Sequence, residues 1–121
     1  MSAETLREVI KLDPNAVMRR SCEIDPDTIV AGEPRERLAS FVTTTVSGDL
    51  DVGIWECDAY EERIDSYPVD EVMVIISGST SLISDAGVRT DLVSGDVAFV
   101  PRGWKGRWIQ SETIRKFTVM V

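Results

Sequence analysis

From Leu38 onward the chain consists of short β-branched and aromatic runs separated by glycine-containing turns, a rhythm that leaves room for little besides an all-β fold. LASFVTTTVSGDLDVGIWEC sets Ser47, Gly48 and Asp49 between two such runs, as a hairpin does. EVMVIISG, beginning at Glu71, is a buried-strand sequence ending in Gly78. STSLIS and VRTDLV flank a turn containing Gly87, a second Ser-Gly-Asp precedes VAFVP, and TIRKFTVMV closes the chain. Strands at intervals of roughly ten residues predict a sandwich or barrel. Gly78, Gly95, Pro101 and Gly103 read as turn formers in such a fold.

The N-terminal part is different. Ser2–Leu12 predicts a short helix: Ser2 can cap it, Glu4 and Glu8 suit its N-terminal half, and Leu6, Val9 and Ile10 share a face. Pro14 stops it, and the stretch from Asn15 to Glu36 lacks periodicity and reads as an extended arm. The expected organisation is one domain, with helix and arm over residues 1–37 and a barrel over 38–121.

Composition narrows the chemistry. With 121 residues, 43% of them hydrophobic, the chain can enclose one core. A net charge of −8, with no basic run, argues against nucleic acid and against anionic membranes as partners. No apolar stretch reaches the ~18 residues of a membrane span. The start, MSAETLREVIKLDP, lacks the basic-then-apolar pattern of a secretion signal, so a cytoplasmic location and reduced Cys22 and Cys57 are expected. Histidine is absent altogether. That excludes His-based triads and removes the commonest nitrogen ligand of transition metals. Two cysteines cannot complete a closed zinc site.

GDVAFVPRGWKGRW, Gly95 to Trp108, has the spacing G-x5-P-x-G-x2 and then Gly106 where the motif ends in histidine. EVMVIISG fits E-x6-G. With GIWECD upstream and IRKFTV downstream, Val30–Val121 resembles the small single-domain cupins grouped with ureidoglycine-aminohydrolase-type and ethanolamine-utilisation cupins. The resemblance implies a cupin-type double-stranded β-helix, or jelly-roll barrel, paired as a homodimer. It also implies a metal site, from which this chain departs. In DSYPVDE, Asp65 and Tyr67 stand at the two histidine positions and Glu71 at the carboxylate; Gly106 replaces the last histidine, and Gln110 lies where some cupins carry Asn. Only Glu71 survives of the usual ligands, a poor set for a transition metal, so no metal or other cofactor is expected. The alternative is a hard ion on oxygens of Asp65, Glu71 and Tyr67.

Strand alternation selects the interior residues. Glu71, Met73 and Ile75 share one face, as do Ile114, Lys116 and Thr118, so Glu71 and Lys116 are expected to meet inside the barrel. There they are either the acid–base and anion-holding residues of a site or a structural ion pair. Trp55, Trp108 and Met73 are expected walls of a pocket, with Cys57 on the face of Trp55 and Tyr67 as a donor. Glu56 and Asp58 flank Cys57 and would raise its pKa, leaving an inert thiol. Tyr67 and Tyr60 border EERIDS, which reads as loop, and Trp104 reads as a structural or interface residue. The expected function is binding of a small polar or anionic metabolite without the His-bound metal. The resemblance adds acid–base activity of an aminohydrolase or isomerase kind. The alternatives are a metal-dependent enzyme using oxygen ligands and a non-catalytic binding or assembly barrel.

Overall fold

The computed structural model describes residues 8–121. Among them the strands are β1 (Arg19–Arg20), β2 (Ile29–Gly32), β3 (Arg37–Thr45), β4 (Gly48–Cys57), β5 (Tyr60–Ile64), β6 (Glu71–Ser77), β7 (Ser79–Ser84), β8 (Arg89–Val93), β9 (Val97–Val100), β10 (Gly106–Gln110) and β11 (Ile114–Met120). A single 3-10 turn, Pro26–Thr28, interrupts the arm. One sheet runs β1-β3-β4-β11-β6-β9 and the other β2-β5-β10-β7-β8, and their inner faces enclose the core. This is the all-β barrel that the strand rhythm predicts and the jelly roll that the cupin resemblance implies.

Alternation is strict where it matters. Glu71, Met73 and Ile75 of β6 are buried while Val72 is exposed, and Ile114, Lys116 and Thr118 of β11 are buried between partly covered neighbours. β11 lies between β4 and β6, paired along nearly its whole length with both. The apolar run FTVMV that closes the chain therefore lies in an interior strand and not at a sheet edge. EERI, expected as loop, is part of β5, which pairs with β10 from Tyr60 to Ile64. Its three charges are consecutive: Glu61 and Arg63 take the outer face, while Glu62 shares the inner face with the buried Tyr60 and Ile64.

The arm is more structured than its sequence suggests. β1 pairs with β3 and β2 pairs with β5, so the arm adds one strand to each sheet and covers an edge of both. Arg115 on the outer face donates to the Pro14 carbonyl at 2.7 Å and tethers the start of the arm. The helix expected over Ser2–Leu12 falls partly outside the described residues, and its described part, residues 8–12, is not helical. Val9 is 98% exposed. A short amphipathic helix needs a surface on which to bury its apolar face, and Val9 and Ile10 of the described part are left exposed.

One residue carries the chain from the first sheet to the second. Gly78 separates β6 from β7, with φ of 84°. A side chain there would run into the Thr113 carbonyl and come within 3.0 Å of the Ile114 Cα. Both the positive φ and the close backbone approach require glycine. We expect Gly78→Ala to lower stability by about 2–4 kcal/mol, the sum of left-handed strain and displaced backbone. Chemical denaturation of the variant against the parent protein measures it, and a loss of a few tenths would contradict the corner geometry.

Candidate functional site

The barrel interior is organised around one ammonium group. β6 and β11 are neighbours, so the inward Glu71 and Lys116 meet: Lys116 Nζ donates to Glu71 Oε2 at 2.7 Å. Tyr67, in the loop before β6, donates its hydroxyl to the other oxygen, Oε1, at 2.6 Å. Its backbone is fixed by two bonds with the β9–β10 loop, Tyr67 N to the Trp104 carbonyl and Gly103 N to the Tyr67 carbonyl. Glu71 is 3% exposed and Lys116 6%, so this pair sits in the core and not on the surface.

Two indoles complete the surroundings of Lys116. Trp55 on β4 and Trp108 on β10 lie edge to face, centroids 6.1 Å apart at 89°. Lys116 Nζ is 4.7 Å from the Trp55 ring centre and 5.1 Å from that of Trp108. Both distances are within cation–π range, where a desolvated ammonium gains most. Since Trp108 belongs to the opposite sheet, the one cation is in contact with both halves of the barrel.

Each ring is held by a polar group at its nitrogen. Trp108 Nε1 donates to Gln110 Oε1 at 2.9 Å, and the Cys57 thiol donates to the same oxygen at 3.3 Å. Gln110 Nε2 in turn donates to the Cys57, Asp58 and Glu112 carbonyls. Its amide is used on both sides, as a buried amide must be. Trp55 Nε1 donates to Glu36 Oε1 at 2.9 Å. Glu62 accepts from the Tyr60 hydroxyl and from Thr28 Oγ1, both at 3.0 Å. Met73 fills the floor beside Glu71, entirely buried.

The electrostatics follow from these contacts. Burial is the largest influence on Glu71 and acts to raise its pKa, but the Lys116 charge and hydrogen bond, with the Tyr67 hydroxyl, outweigh it and hold the carboxyl below its ordinary value. Thr118, buried next to the carboxylate, has a hydroxyl with no partner in bonding geometry. Glu62 goes the other way: burial and the nearby Glu36 charge raise it above the ordinary range, against the Tyr60 and Thr28 hydrogen bonds. Cys57 is pushed up to about 12, chiefly by burial. The thiol is inert as expected, but the cause is desolvation and not the flanking Glu56 and Asp58, which point to the outer side and bond to Arg37 and Arg115.

All of the interior residues expected from the sequence, Glu71, Lys116, Trp55, Cys57, Tyr67, Met73 and Trp108, are thus buried in one barrel. Asp65 is not among them. It lies just past β5, its side chain 82% exposed and paired with Arg63. The oxygen set Asp65, Glu71 and Tyr67 does not converge. Among the described residues no group of three His, Cys, Asp or Glu side chains is arranged to hold a metal, and the carboxylate that would do so is already neutralised by an ammonium. The donors present do not fit a cupin metal. At the last histidine position, a Cβ on Gly106 would meet the Ile83 carbonyl and lie 2.6 Å from Trp104 Cη2, so the Trp104 indole takes up the space beside it. Glu36, Glu62 and Thr28 escaped sequence reasoning because they lie on an aperiodic arm and on a strand read as loop. Gln110 is marked in the sequence only by its place in the motif.

Two antiparallel sheets wrapped about this core, with E-x6-G on β6 and G-x5-P-x-G running from the turn before β9 toward β10, define a cupin. More narrowly, residues 44–117 match the EutQ-like cupin domain, and the chain belongs to that family. A protein of unknown function of the DUF861 family from Pseudomonas syringae pv. tomato superposes with a TM-score of 0.85 at 25% identity, over 91% of this chain and 46% of that one. This chain therefore spans about half the length of that relative. The EutQ protein of Clostridium difficile matches with a TM-score of 0.56 at 20% identity, over 82% of this chain and 79% of its own. A cupin-like protein from Thermotoga maritima matches with a TM-score of 0.64 at 13% identity, over 88% and 81% respectively. These last two likenesses are of fold alone. No curated protein sequence matches the chain.

Removing one member of the central pair tests its electrostatics. Lys116→Met strands a buried carboxylate and should lower stability by about 3–5 kcal/mol near neutral pH, while Glu71→Gln combined with Lys116→Met should recover much of that loss. The pH dependence should also invert. In the parent, the depressed Glu71 pKa contributes stability above the unfolded-state value that is lost as pH falls through the folded value. In Lys116→Met the carboxyl is raised, so stability should increase on acidification; denaturation at several pH values reads the sign.

Proposed function

We propose that this protein is a cupin that works without a metal, binding a small polar metabolite through an anionic group held by Lys116. Glu71 is the proton-handling group of the site and Tyr67 its hydroxyl donor. The observation that supports this reading is the convergence of Lys116 Nζ and Tyr67 Oη on the two oxygens of a single carboxylate, at 2.7 and 2.6 Å. Two donors so placed, in a site walled by Trp55 and Trp108, are the complement of a carboxylate or of an oxyanion derived from one. When a ligand carboxylate replaces Glu71 on Lys116, Glu71 is left in a desolvated place and its pKa rises, which suits it to take a proton from the ligand. Trp108 and Trp55 then stack against whatever carbon the anion carries.

Acetate and glycolate, titrated into the protein, test the reading through the indole N–H signals of Trp55 and Trp108 in nitrogen-15 spectra. A saturable shift of both signals that Lys116→Met abolishes is the expected result. No shift up to about 100 mM, a concentration at which even millimolar affinities saturate, would rule out this class of ligand.

A second reading concerns the outside of the same barrel. Val97 is 67% and Phe99 60% exposed on β9, next to Val72 on β6, with which Phe99 is in register. We propose that this patch is the contact of a homodimer, since apolar side chains clustered on one sheet face favour association. Each copy carries −8, so screening should tighten the pair. Sedimentation velocity should show a dimer that strengthens from 20 to about 300 mM salt, roughly a fourfold fall in Debye length, and that Phe99→Asp dissociates. A monomer at every salt concentration would end this reading.

A further inference from the structure

The Lys116 site is closed on all sides, since Glu71, Lys116, Trp55, Tyr67 and Trp108 are each buried. A ligand can reach it only if part of the barrel moves, and one segment is built differently from the rest. Residues 21–28 run between β1 and β2 without belonging to either sheet. Cys22, Glu23, Asp25, Pro26 and Asp27 are exposed, while Ile24 and then Ile29 pack down on the core.

Two carboxylates fasten this segment, and both do it in the same double-sided way. Glu36 accepts from the Ile24 backbone N–H on Oε2, at 2.9 Å, and from the Trp55 indole on Oε1, at 2.9 Å. Glu62 accepts from the Thr28 hydroxyl on Oε2 and from the Tyr60 hydroxyl on Oε1. In each, one oxygen holds the segment and the other holds an aromatic residue of the core. The remaining tie from the start of the segment is Ser21 N to the Glu36 carbonyl, at 3.1 Å. We propose that Ser21–Thr28 is a strap that closes the end of the barrel, and that Glu36 is its latch, a positioning residue that couples closure to the placement of the Trp55 ring against Lys116. The inference rests on the proposed ligand site only for what passes beneath the strap.

The two latches differ in chemistry. Both partners of Glu36 are N–H groups, which can only donate, so the task requires two acceptor oxygens and a glutamine would lose one bond. The partners of Glu62 are hydroxyls, which donate or accept, so a glutamine there can still serve both. Opening at Glu36 would free one wall of the Lys116 site while leaving Trp108 in place, because Trp108 is anchored separately by Gln110. A segment with few backbone hydrogen bonds and an exposed outer side belongs to the part of a fold that opens locally, below the free energy of global unfolding.

Hydrogen exchange, which needs no ligand, tests the strap independently of the binding reading. In the full chain labelled with nitrogen-15, the Trp55 and Trp108 indole N–H signals, assigned with single Trp→Phe variants, are followed with the Ile24 amide. Glu36→Gln should speed exchange of the Trp55 indole and the Ile24 amide together, by about tenfold or more, the effect of losing a charge-assisted hydrogen bond. Glu62→Gln should leave the Trp55 rate within about twofold, since its hydroxyl partners can adapt. Trp108 and the amides of β6 and β11 should hold their rates in both variants. In the parent protein, Trp55 exchange should be insensitive to low urea, as local opening is. The proposal is overturned if Glu36→Gln leaves Trp55 exchange unchanged. It is equally overturned if Trp55, Trp108 and the core amides accelerate in step, or if Trp55 exchange follows urea as the core does. Failure of acetate to bind alongside the expected exchange pattern would count against the ligand and leave the strap standing.

Discussion

A charged group in the middle of a small barrel is the constraint to which the other interior residues answer. Lys116 sits on an inner strand of the larger sheet, where it is almost wholly removed from water. Taken alone it would be among the most destabilising features a core can have, because desolvating an ion is worth several kcal/mol against folding. The fold meets this with a carboxylate from the next strand, whose charge cancels it, and with two indole faces, whose quadrupoles replace part of the lost hydration. Each of those partners then makes a demand of its own. Glu71 needs a second donor and receives Tyr67. The indole nitrogens need acceptors and receive Gln110 and Glu36. The polar interior is therefore one connected network, in which the identity of each residue follows from that of its neighbour.

The same reasoning accounts for what the chain does with a scaffold that ordinarily holds metal. A divalent ion and an ammonium cannot share one carboxylate at 2.7 Å without strong repulsion, so Lys116 and a cupin metal are alternatives at this position. Loss of the histidines is then not a set of separate deletions. Gly106, at the last histidine position, is closely approached by the Ile83 carbonyl and the Trp104 indole, so a side chain there would have to displace backbone. Trp108, two residues on, turns its ring to Lys116. Where an imidazole would reach in from β10 to a metal, an indole reaches in to an ammonium.

The core of this arrangement was legible in the sequence because strands obey a period of two. Once Glu71 was placed inside, Met73 and Ile75 followed, and the same count on the last strand put Lys116 opposite them. Trp55 and Trp108 were legible in another way, as large aromatic rings suited to wall a barrel pocket. What periodicity does not reach is the polar second half of the network. Glu36 follows an arm with no repeating pattern, and its partner Trp55 is distant in sequence. Glu62 lies in EERI, whose charges conceal a strand, because β5 shows one face to solvent and buries the other only in part. Asp65 was misplaced by aligning a motif across the end of that strand, beyond which direction is no longer set by alternation. At the end of the expected N-terminal helix, residues 8–12 are not helical, because the apolar face that local pattern supplies is left exposed at Val9 and Ile10.

A core whose ion pair is so closely partnered raises a tension between stability and use. Every hydrogen bond that fixes Lys116 also closes the space a ligand would occupy, so a barrel of rigid strands alone would be stable and inert. The inner strands of a sheet cannot open one at a time, since each is bonded on both sides, and β11 is paired with two neighbours along nearly its whole length. The place where motion is cheap must be a segment whose backbone bonds are few and whose closure depends on side chains. A carboxylate offers an acceptor oxygen on each side and no donor, and Glu36 uses one oxygen for a backbone amide and the other for the ring that walls the ammonium. Between β1 and β2, residues 21–28 join neither ladder, and that lack of backbone pairing is the physical property that lets this part of the arm move.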